Sequence, residues 1–213
     1  MNQTIYKFLK KCKVRYQRIR YALTQDKTQL YGGKFYEVGV SSVPEFVWVL
    51  CSHFNPRSVV DVGCGRGEFL YHFSLRGVEV KGYEGSLYAV KHTLVHKDYV
   101  ERVDLVREIN PGVKYDLALC LEVAEHIEGR SSQVLVKTLT NLSDTIVFTA
   151  APPGQGGHYH INERPYGFWI ELFKNKRFEL DRELTEVIKG ELERLRVPYW
   201  YRRNLLVFRR GSE

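Results

Sequence analysis

Hydrophobic positions along this chain follow two periods, short apolar runs typical of buried strands and longer segments with helical spacing. Residues 59–62 form a β-branched run that leads into three alternating glycines, and an apolar segment with helical spacing begins at Glu68. A second apolar run at residues 78–83 ends in the acidic Glu84. This order predicts a strand, a glycine turn, a helix and a second strand that ends in a carboxylate.

The same patterns predict elements on both sides of this unit. A capping-box sequence at residues 42–45 predicts the start of a helix, which Asn55-Pro56 ends. Further helices are predicted at residues 86–96, 131–141, 165–176 and 186–195, and further strands at residues 100–106, 115–121, 145–149, 178–184 and 204–209. Alternating strands and helices indicate an α/β fold with a doubly wound, mostly parallel sheet, and the last strands predict an antiparallel edge.

The first 30 residues differ from the rest in charge. They hold eight Lys or Arg residues and Asp26 as their single acid, with apolar residues such as Ile5, Phe8 and Tyr16 at helical spacing. We predict a basic amphipathic arm at residues 1–30 and one domain at residues 31–213. The arm is interpreted either as a terminal helix packed on the domain or as an anchor for RNA or a membrane surface.

Composition excludes several classes of protein. Hydrophobic residues make up 44% of the 213 positions, which is typical of a globular chain. No apolar run approaches the roughly 20 residues that span a membrane, and no signal peptide is recognised. The four cysteines are scattered without a C-x-x-C pair, so we expect free thiols and a cytoplasmic protein. Residues 31–175 hold 14 basic and 17 acidic residues, which argues against a basic channel for nucleic acid.

The glycine turn and Glu84 together predict a nucleoside site. Gly63, Gly65 and Gly67 allow backbone to approach a ligand, and Glu84, 19 residues past Gly65, is placed to accept both ribose hydroxyls. The loop lacks the G-x-G-x-x-G spacing of dinucleotide-binding proteins. Glu68 would also repel a diphosphate at the helix start, which disfavours NAD.

These residues carry a resemblance to a known family. DVGCGRG followed by an acidic strand end resembles motifs I and II of class I S-adenosylmethionine-dependent methyltransferases, over residues 31–210. The resemblance implies a seven-stranded Rossmann-like fold, with S-adenosylmethionine as cofactor and S-adenosylhomocysteine as product. It implies cofactor contacts from the glycine loop, the acid after the second strand and residues at later strand ends: Asp61, Gly63, Cys64, Gly65, Gly67, Glu84, Asp104 and Leu121. Glu108 is the alternative to Asp104 for the contact with the adenine amino group.

The sequence E-x-x-E-H follows the predicted fourth strand. If it is helical, Glu122, Glu125 and His126 share one face, where they are candidates for a divalent metal site or a general base. The string resembles one that helps bind a metal in small-RNA ribose methyltransferases and some quinone-pathway O-methyltransferases. A plain helix start explains it equally well, so metal dependence stays open.

A long glycine-rich loop with two histidines follows the predicted fifth strand. Because polar loops beside a ligand pocket commonly carry function, we expect at least one of its histidines to touch substrate. His160-x-Asn162 resembles a methyltransferase subgroup associated with glycan modification. We therefore predict His160 as the first candidate for the base, His158 and His126 as further candidates, and Asn162 and Tyr159 as substrate contacts.

The chain ends with aromatic and cationic residues at positions 198–204, which either form a sugar-stacking platform or bury a turn before the last strand. The combined prediction is O-methylation of a sugar, a glycan or a related small molecule. The alternatives are metal-assisted methylation of RNA ribose and a non-catalytic nucleoside-binding subunit.

Overall fold

The computed structural model describes residues 42–211, which form one seven-stranded sheet with helices on both faces. The strands are β1 Ser58–Val62, β2 Glu79–Glu84, β3 Val100–Arg102, β4 Leu117–Leu121, β5 Thr145–Thr149, β6 Phe178–Leu180 and β7 Leu206–Arg210. The helices are α1 Val43–Phe54, α2 Glu68–Ser74, α3 Leu87–Lys91, α4 Ser132–Leu142, α5 Tyr166–Lys174, α6 Arg182–Arg194 and α7 Tyr199–Asn204. Single 3₁₀ turns lie at Lys97–Tyr99, Ala124–His126 and Gly129–Ser131.

The strand order across the sheet is β3-β2-β1-β4-β5-β7-β6. β1 pairs in parallel with both β2 and β4, while β7 runs antiparallel to β5 and to the outermost strand β6. The doubly wound fold and its antiparallel edge are therefore confirmed. The chain order reverses at β1 and β4, and ligands of open α/β sheets bind outside the carboxyl ends of the strands at such a point.

Buried apolar residues cover both faces of the sheet. On one face, α1, α2 and α6 contribute residues such as Phe46, Phe73 and Ile188. On the other face, α4 and α5 contribute Leu139 and Trp169, among others. Central strands buried on both faces explain why β4 is apolar throughout rather than alternating.

The predicted elements are present, but several end earlier than the sequence pattern indicated. The helix predicted for residues 86–96 ends at Lys91, and the strand predicted for residues 100–106 ends at Arg102. β6 stops at Leu180 because Asp181 caps α6, accepting a hydrogen bond from the Leu184 N–H at 3.0 Å. The capping box predicted for α1 is wrong: Ser42 makes no side-chain cap bond, although the helix begins there.

The predictions for the N-terminal arm, the cysteines and membrane spans have different outcomes. The amphipathic arm at residues 1–30, including Cys12, lies outside the described residues. Cys51, Cys64 and Cys120 are free thiols, as expected. Among residues 42–211, every helix is too short or too polar to cross a bilayer.

Candidate active site

The turn after β1 requires glycine at the start of the site. Gly63, Gly65 and Gly67 have φ values of 82°, 57° and 82°, all in the left-handed region. The N–H groups of Gly63 and Cys64 both donate to the Tyr83 carbonyl, at 2.7 and 3.3 Å. A Cβ atom on Gly63 would overlap the Val123 side chain, so the glycine also permits contact with the segment after β4.

Glu84 joins the glycine turn to the end of β2. Its carboxylate accepts hydrogen bonds from the Gly65 N–H at 2.8 Å and the Ser86 N–H at 2.6 Å. Burial raises the pKa of Glu84 to about 7, although these backbone donors favour its ionised form. These bonds place the Glu84 carboxylate beside the glycine turn, and its contact with ribose hydroxyls stays a prediction.

Asp61 and Glu68 add acidic groups beside the same turn. Asp61 is buried near the end of β1, and its burial raises its pKa well above the usual range, with Glu84 and Glu68 adding to the effect. Burial also raises the pKa of Glu68, which opens α2. A cationic ligand would lower the pKa values of Asp61 and Glu68 again, because a nearby positive charge stabilises a carboxylate.

The segment after β4 does not form the helix that the E-x-x-E-H spacing indicated. Glu122 has a φ of 55°, and its N–H donates to the Thr149 hydroxyl at 2.8 Å. Its carboxylate accepts hydrogen bonds from the Asn204 amide at 3.0 Å and the Gln155 amide at 3.4 Å. Only the short turn Ala124–His126 is helical, so the expected common helix face is wrong, yet all three side chains still line one cleft.

Glu125 is fully buried, and no group within residues 42–211 lies at hydrogen-bond distance and angle from its carboxyl oxygens. Burial raises its pKa well above the usual range, and the charge of Glu122 adds to this effect. The His126 and His160 side chains lie beside it, so that one candidate ligand atom from each residue falls within 4.8 Å of the others. The two imidazole rings are 5.0 Å apart and nearly perpendicular.

Both histidines of this cluster are oriented through Nδ1. His126 Nδ1 lies 3.3 Å from the Tyr159 carbonyl, and His160 Nδ1 lies 3.3 Å from the Glu163 carboxylate. A donor at Nδ1 leaves the lone pair of a neutral imidazole on Nε2. Burial lowers the pKa of His126 to about 3, so this ring is neutral at physiological pH.

Glu163 also shapes the loop after β5. Its two oxygens accept hydrogen bonds from the Gly154 N–H at 2.8 Å and the Gly156 N–H at 2.5 Å. A Cβ atom on Gly157 would overlap the His160 ring, so the backbone of this loop passes directly against the imidazole. The carboxylate therefore holds both the loop and the orientation of His160.

One cleft of about 650 Å³ connects the glycine turn, the Glu125 cluster and helix α7. From α7, Tyr199, Trp200 and Tyr201 line the cleft, with Tyr199 half exposed. The predicted site residues that line it are Asp61, Gly63, Cys64, Gly65, Leu121, Glu122, Glu125, His126, His158 and His160. The sequence analysis treated His126, after the fourth strand, separately from His158 and His160, after the fifth strand. In the structure all three histidines line the same cleft.

The remaining predicted residues lie outside this lining, and they are Gly67, Glu84, Asp104, Tyr159 and Asn162. Gly67 precedes α2, and Asp104 is exposed in the turn after β3, where it accepts from the Val106 N–H at 3.3 Å. Asn162 is buried and donates to the Ala124 carbonyl at 3.2 Å, while Tyr159 is also buried. The structure thus shows Asn162 supporting the Ala124–His126 turn, and its contact with substrate stays a prediction.

Sequence reasoning missed four residues of the site: Glu68, Gln155, Glu163 and Asn204. Asn204 is fully buried at the end of α7, where its amide also donates to the Gln155 oxygen at 3.1 Å and accepts from the Tyr166 hydroxyl at 2.9 Å. The nearest signal in the sequence was the aromatic segment at residues 198–204, which was read as a platform or a turn and forms helix α7.

Curated relatives resemble part of this chain. The ubiquinone biosynthesis O-methyltransferase of Rhodopseudomonas palustris is 31% identical over 74 residues, which is 32% of this chain. A ubiquinone biosynthesis O-methyltransferase from Bradyrhizobium diazoefficiens is 32% identical over the same length. The match spans 29% of the length of either relative.

Solved methyltransferase structures share the fold over most of the chain. The sugar N-methyltransferase KedS8 from Streptoalloteichus has a TM-score of 0.63 at 17% identity, covering 84% of this chain and 91% of its own. The plantazolicin methyltransferase BpumL, solved with S-adenosylhomocysteine and a substrate analogue, has a TM-score of 0.63 at 16% identity, covering 94% and 99%.

The family assignment rests on most of the sequence. The model of the methyltransferase domain family matches residues 34–182, a span that contains the glycine turn, Glu84 and the Glu125 cluster. The predicted enzyme class, a methyltransferase, is confirmed at the level of the family. Use of S-adenosylmethionine stays a prediction, because the solved structures share the fold at 16–17% identity. The chain belongs to the methyltransferase domain family.

Proposed function

We propose that this protein transfers the methyl group of S-adenosylmethionine to a hydroxyl group of a sugar, a glycan or a related small molecule. The observation that carries the proposal is that one cleft joins the glycine turn to a second half lined by histidines and aromatic side chains. A bound cofactor and an acceptor would then lie side by side, with oxygen, methyl carbon and sulfur in line. Alignment of this kind supplies much of the rate of an intrinsically reactive methyl donor.

The cofactor half suits a cationic ligand. S-adenosylmethionine carries a sulfonium and an ammonium group, and the cleft presents the buried Asp61 and the partly buried Glu68 beside the glycine turn. Glu84 is held beside the glycine turn, at the place where the resemblance puts the ribose hydroxyls. After transfer the sulfur becomes neutral, so these acids also favour exchange of product for fresh cofactor.

The acceptor half suits a ring with hydroxyl groups. Tyr199 and Trp200 offer aromatic faces, and His158 and Gln155 offer polar groups on the opposite loop. Aromatic faces with a polar tip are well suited to bind partly apolar, partly hydroxylated surfaces. The hydroxyl proton would pass to an imidazole of this loop, since His158 and His160 both line the cleft.

The charge of the cleft argues against the RNA alternative. Among the described residues that line it, the charged side chains are acids, and none is Lys or Arg. An RNA strand would bring phosphates that need cationic partners. The cleft also continues from the glycine turn to the three histidines. A non-catalytic subunit that only binds a nucleoside would not require this second half.

Acceptor screening with labelled S-adenosylmethionine tests this proposal. We expect label on a sugar or a nucleotide sugar, and none on short RNA. Calorimetry with S-adenosylhomocysteine provides the independent check of the cofactor half. Failure to bind the product would overturn the proposal, and transfer to RNA alone would replace it with the ribose alternative.

A further inference from the structure

Tyr201 of α7 presents an unpaired hydroxyl group to the cleft. The residue lines the cleft and is only 8% exposed. Its backbone N–H donates to the Pro198 carbonyl, but its hydroxyl makes no hydrogen bond within residues 42–211. A tyrosine hydroxyl that is largely buried normally has a hydrogen-bond partner, because burial removes it from water. The unpaired hydroxyl therefore indicates a partner that enters the cleft with a ligand.

Aromatic contacts fix the Tyr201 ring on the side of the glycine turn. The ring is in edge-to-face contact with Phe46 of α1 and Phe69 of α2, at centroid distances of 5.7 and 5.9 Å. Phe69 is the second residue of α2, directly after the glycine turn, and it lines the same cleft. Tyr199 lies two positions earlier in α7, and side chains at this spacing do not share a helix face. Tyr201 is therefore the tyrosine of α7 that packs against the cofactor half.

The surroundings of the Tyr201 hydroxyl are acidic. Burial raises the pKa of Tyr201 well above its usual range, and the charges of four acids add to this effect. These acids, which all line the cleft, are Glu122, Asp61, Glu68 and Glu125. The hydroxyl therefore keeps its proton at physiological pH and remains a hydrogen-bond donor. Because the described lining contains no Lys or Arg, a ligand carboxylate in this cleft would depend on such a neutral donor.

The glycine turn uses its own backbone donors within the chain. Its N–H groups at positions 63, 64, 65 and 67 donate to two backbone carbonyls and to the Glu84 carboxylate. The methionine portion of S-adenosylmethionine carries a carboxylate next to its ammonium group. Asp61 and Glu68 suit the ammonium group but repel the carboxylate. The carboxylate therefore needs a donor from outside these positions of the turn.

We propose that the Tyr201 hydroxyl donates a hydrogen bond to the methionine carboxylate of the bound cofactor. This inference rests on the proposed function, because it requires S-adenosylmethionine as the ligand. The bond holds the amino acid end of the cofactor, whereas Glu84 is predicted to hold the ribose. The sulfur lies between these two attachments, so its methyl group is directed towards the acceptor half of the cleft. Fixing a reacting group in this way favours transfer, because it removes unproductive orientations.

Calorimetry with two ligands tests this bond on the full chain. The ligands are S-adenosylhomocysteine and its decarboxylated analogue, which keeps the amine, the sulfur and the adenosine. Tyr201→Phe should weaken binding of S-adenosylhomocysteine at least about tenfold, because a hydrogen bond to a charged group is lost. Its affinity for the decarboxylated analogue should change less than about threefold, since that ligand has no carboxylate to bind. Unchanged affinity for S-adenosylhomocysteine, or an equal loss for both ligands, would overturn the proposal.

Tyr199→Phe is the matched control, because it removes the other tyrosine hydroxyl of the same helix. Its affinity for S-adenosylhomocysteine should stay within about twofold of the wild type, and a loss equal to that of Tyr201→Phe would refute the assignment. Tyr201→Phe keeps the ring contacts with Phe46 and Phe69, so the thermal unfolding midpoint of the ligand-free variant should not fall. A lower midpoint would show that the hydroxyl bonds to the chain itself, which would also overturn the proposal.

The behaviour of the wild type separates this test from that of the proposed function. If the wild type binds S-adenosylhomocysteine and Tyr201→Phe binds it equally well, the Tyr201 contact is wrong and the proposed function stands. If the wild type binds neither ligand, the proposed function is contradicted, and the Tyr201 contact with it. A selective loss of affinity for the ligand that carries the carboxylate supports both.

Discussion

The two halves of the cleft are built in different ways. The cofactor half comes from one continuous stretch of chain, from Asp61 to Glu84, in which neighbouring strands β1 and β2 pair in register. The acceptor half collects Glu122, His160 and Asn204 from three separate segments, and its central hydrogen bond spans 82 residues. A local unit keeps its geometry through its own turn, whereas the acceptor half depends on how distant segments pack.

This comparison predicts which function each variant loses. Changes in the acceptor half should lower turnover and leave cofactor affinity intact, and changes in the cofactor half should do the opposite. Four variants test the division, in order of expected effect.

His160→Ala should have the largest effect. Loss of this imidazole as the proton acceptor should lower kcat by roughly 10²–10⁴-fold with the affinity for S-adenosylhomocysteine nearly unchanged. Steady-state kinetics and calorimetry measure the two quantities. His96→Ala is the control, because His96 is exposed before a turn far from the cleft lining and should leave both unchanged. If the His160→Ala enzyme is fully active, His160 does not take part in the reaction.

Gly63→Ala should disrupt the cofactor half of the cleft. Its positive φ and the contact with Val123 should together lower the free energy of unfolding by about 2–5 kcal/mol and impair product binding. Gly77→Ala is matched, since Gly77 has a φ of 75° but nothing within 4 Å of an added Cβ. Thermal unfolding of both, and of Gly63→Ala combined with Val123→Ala, separates backbone strain from the contact. If Gly63→Ala and Gly77→Ala lower the free energy of unfolding equally, the overlap with Val123 contributes nothing to the loss.

Glu84→Gln should weaken S-adenosylhomocysteine binding by about 10–100-fold, because charge-assisted hydrogen bonds contribute roughly 1.5–3 kcal/mol. The Glu84 pKa of about 7 also sets a pH dependence, since only the ionised carboxylate accepts from both ribose hydroxyls. Wild-type affinity should therefore rise, up to about tenfold, between pH 6 and pH 8.

The pH profile of Glu84→Gln should be flat over this range if Glu84 is the titrating group. Glu79→Gln, at the exposed start of the same strand, should keep the wild-type profile. A pH-dependent Glu84→Gln variant would assign the titration to another acid, such as Asp61.

Tyr199→Ala should have the smallest effect. Loss of one half-exposed aromatic face should raise the acceptor KM by about 3–10-fold, in line with roughly 0.5–1.5 kcal/mol for an aromatic contact. Its kcat and its affinity for S-adenosylhomocysteine should change little. Tyr71→Ala, an exposed tyrosine on α2 outside the cleft lining, serves as the control. A larger loss of cofactor affinity than of acceptor KM would move α7 to the cofactor half.

The predicted sites differ in how far local sequence could determine them. The arrangement of strand, glycine turn and acidic strand end was predicted correctly, because a turn between two adjacent parallel strands leaves little freedom, while the ligand contacts of Gly63, Gly65 and Glu84 stay predictions. The common face of the E-x-x-E-H segment depended on its being helical, and the positive φ of Glu122 and its bond to Thr149 exclude a helix there. The spacing of these residues does not reveal that the backbone of Glu122 bonds to the neighbouring strand β5.

The sequence by itself determined the fold class, the glycine turn and the acid that follows β2, since hydrophobic period and turn residues act over a few positions. Only the tertiary structure decided that His126 and His160 meet at Glu125, that Glu163 orients His160, and that α7 closes the cleft. These contacts depend on strand order and on packing between segments far apart in the chain. Local periodicity does not encode such distances, so the acceptor half becomes visible only once the sheet is assembled.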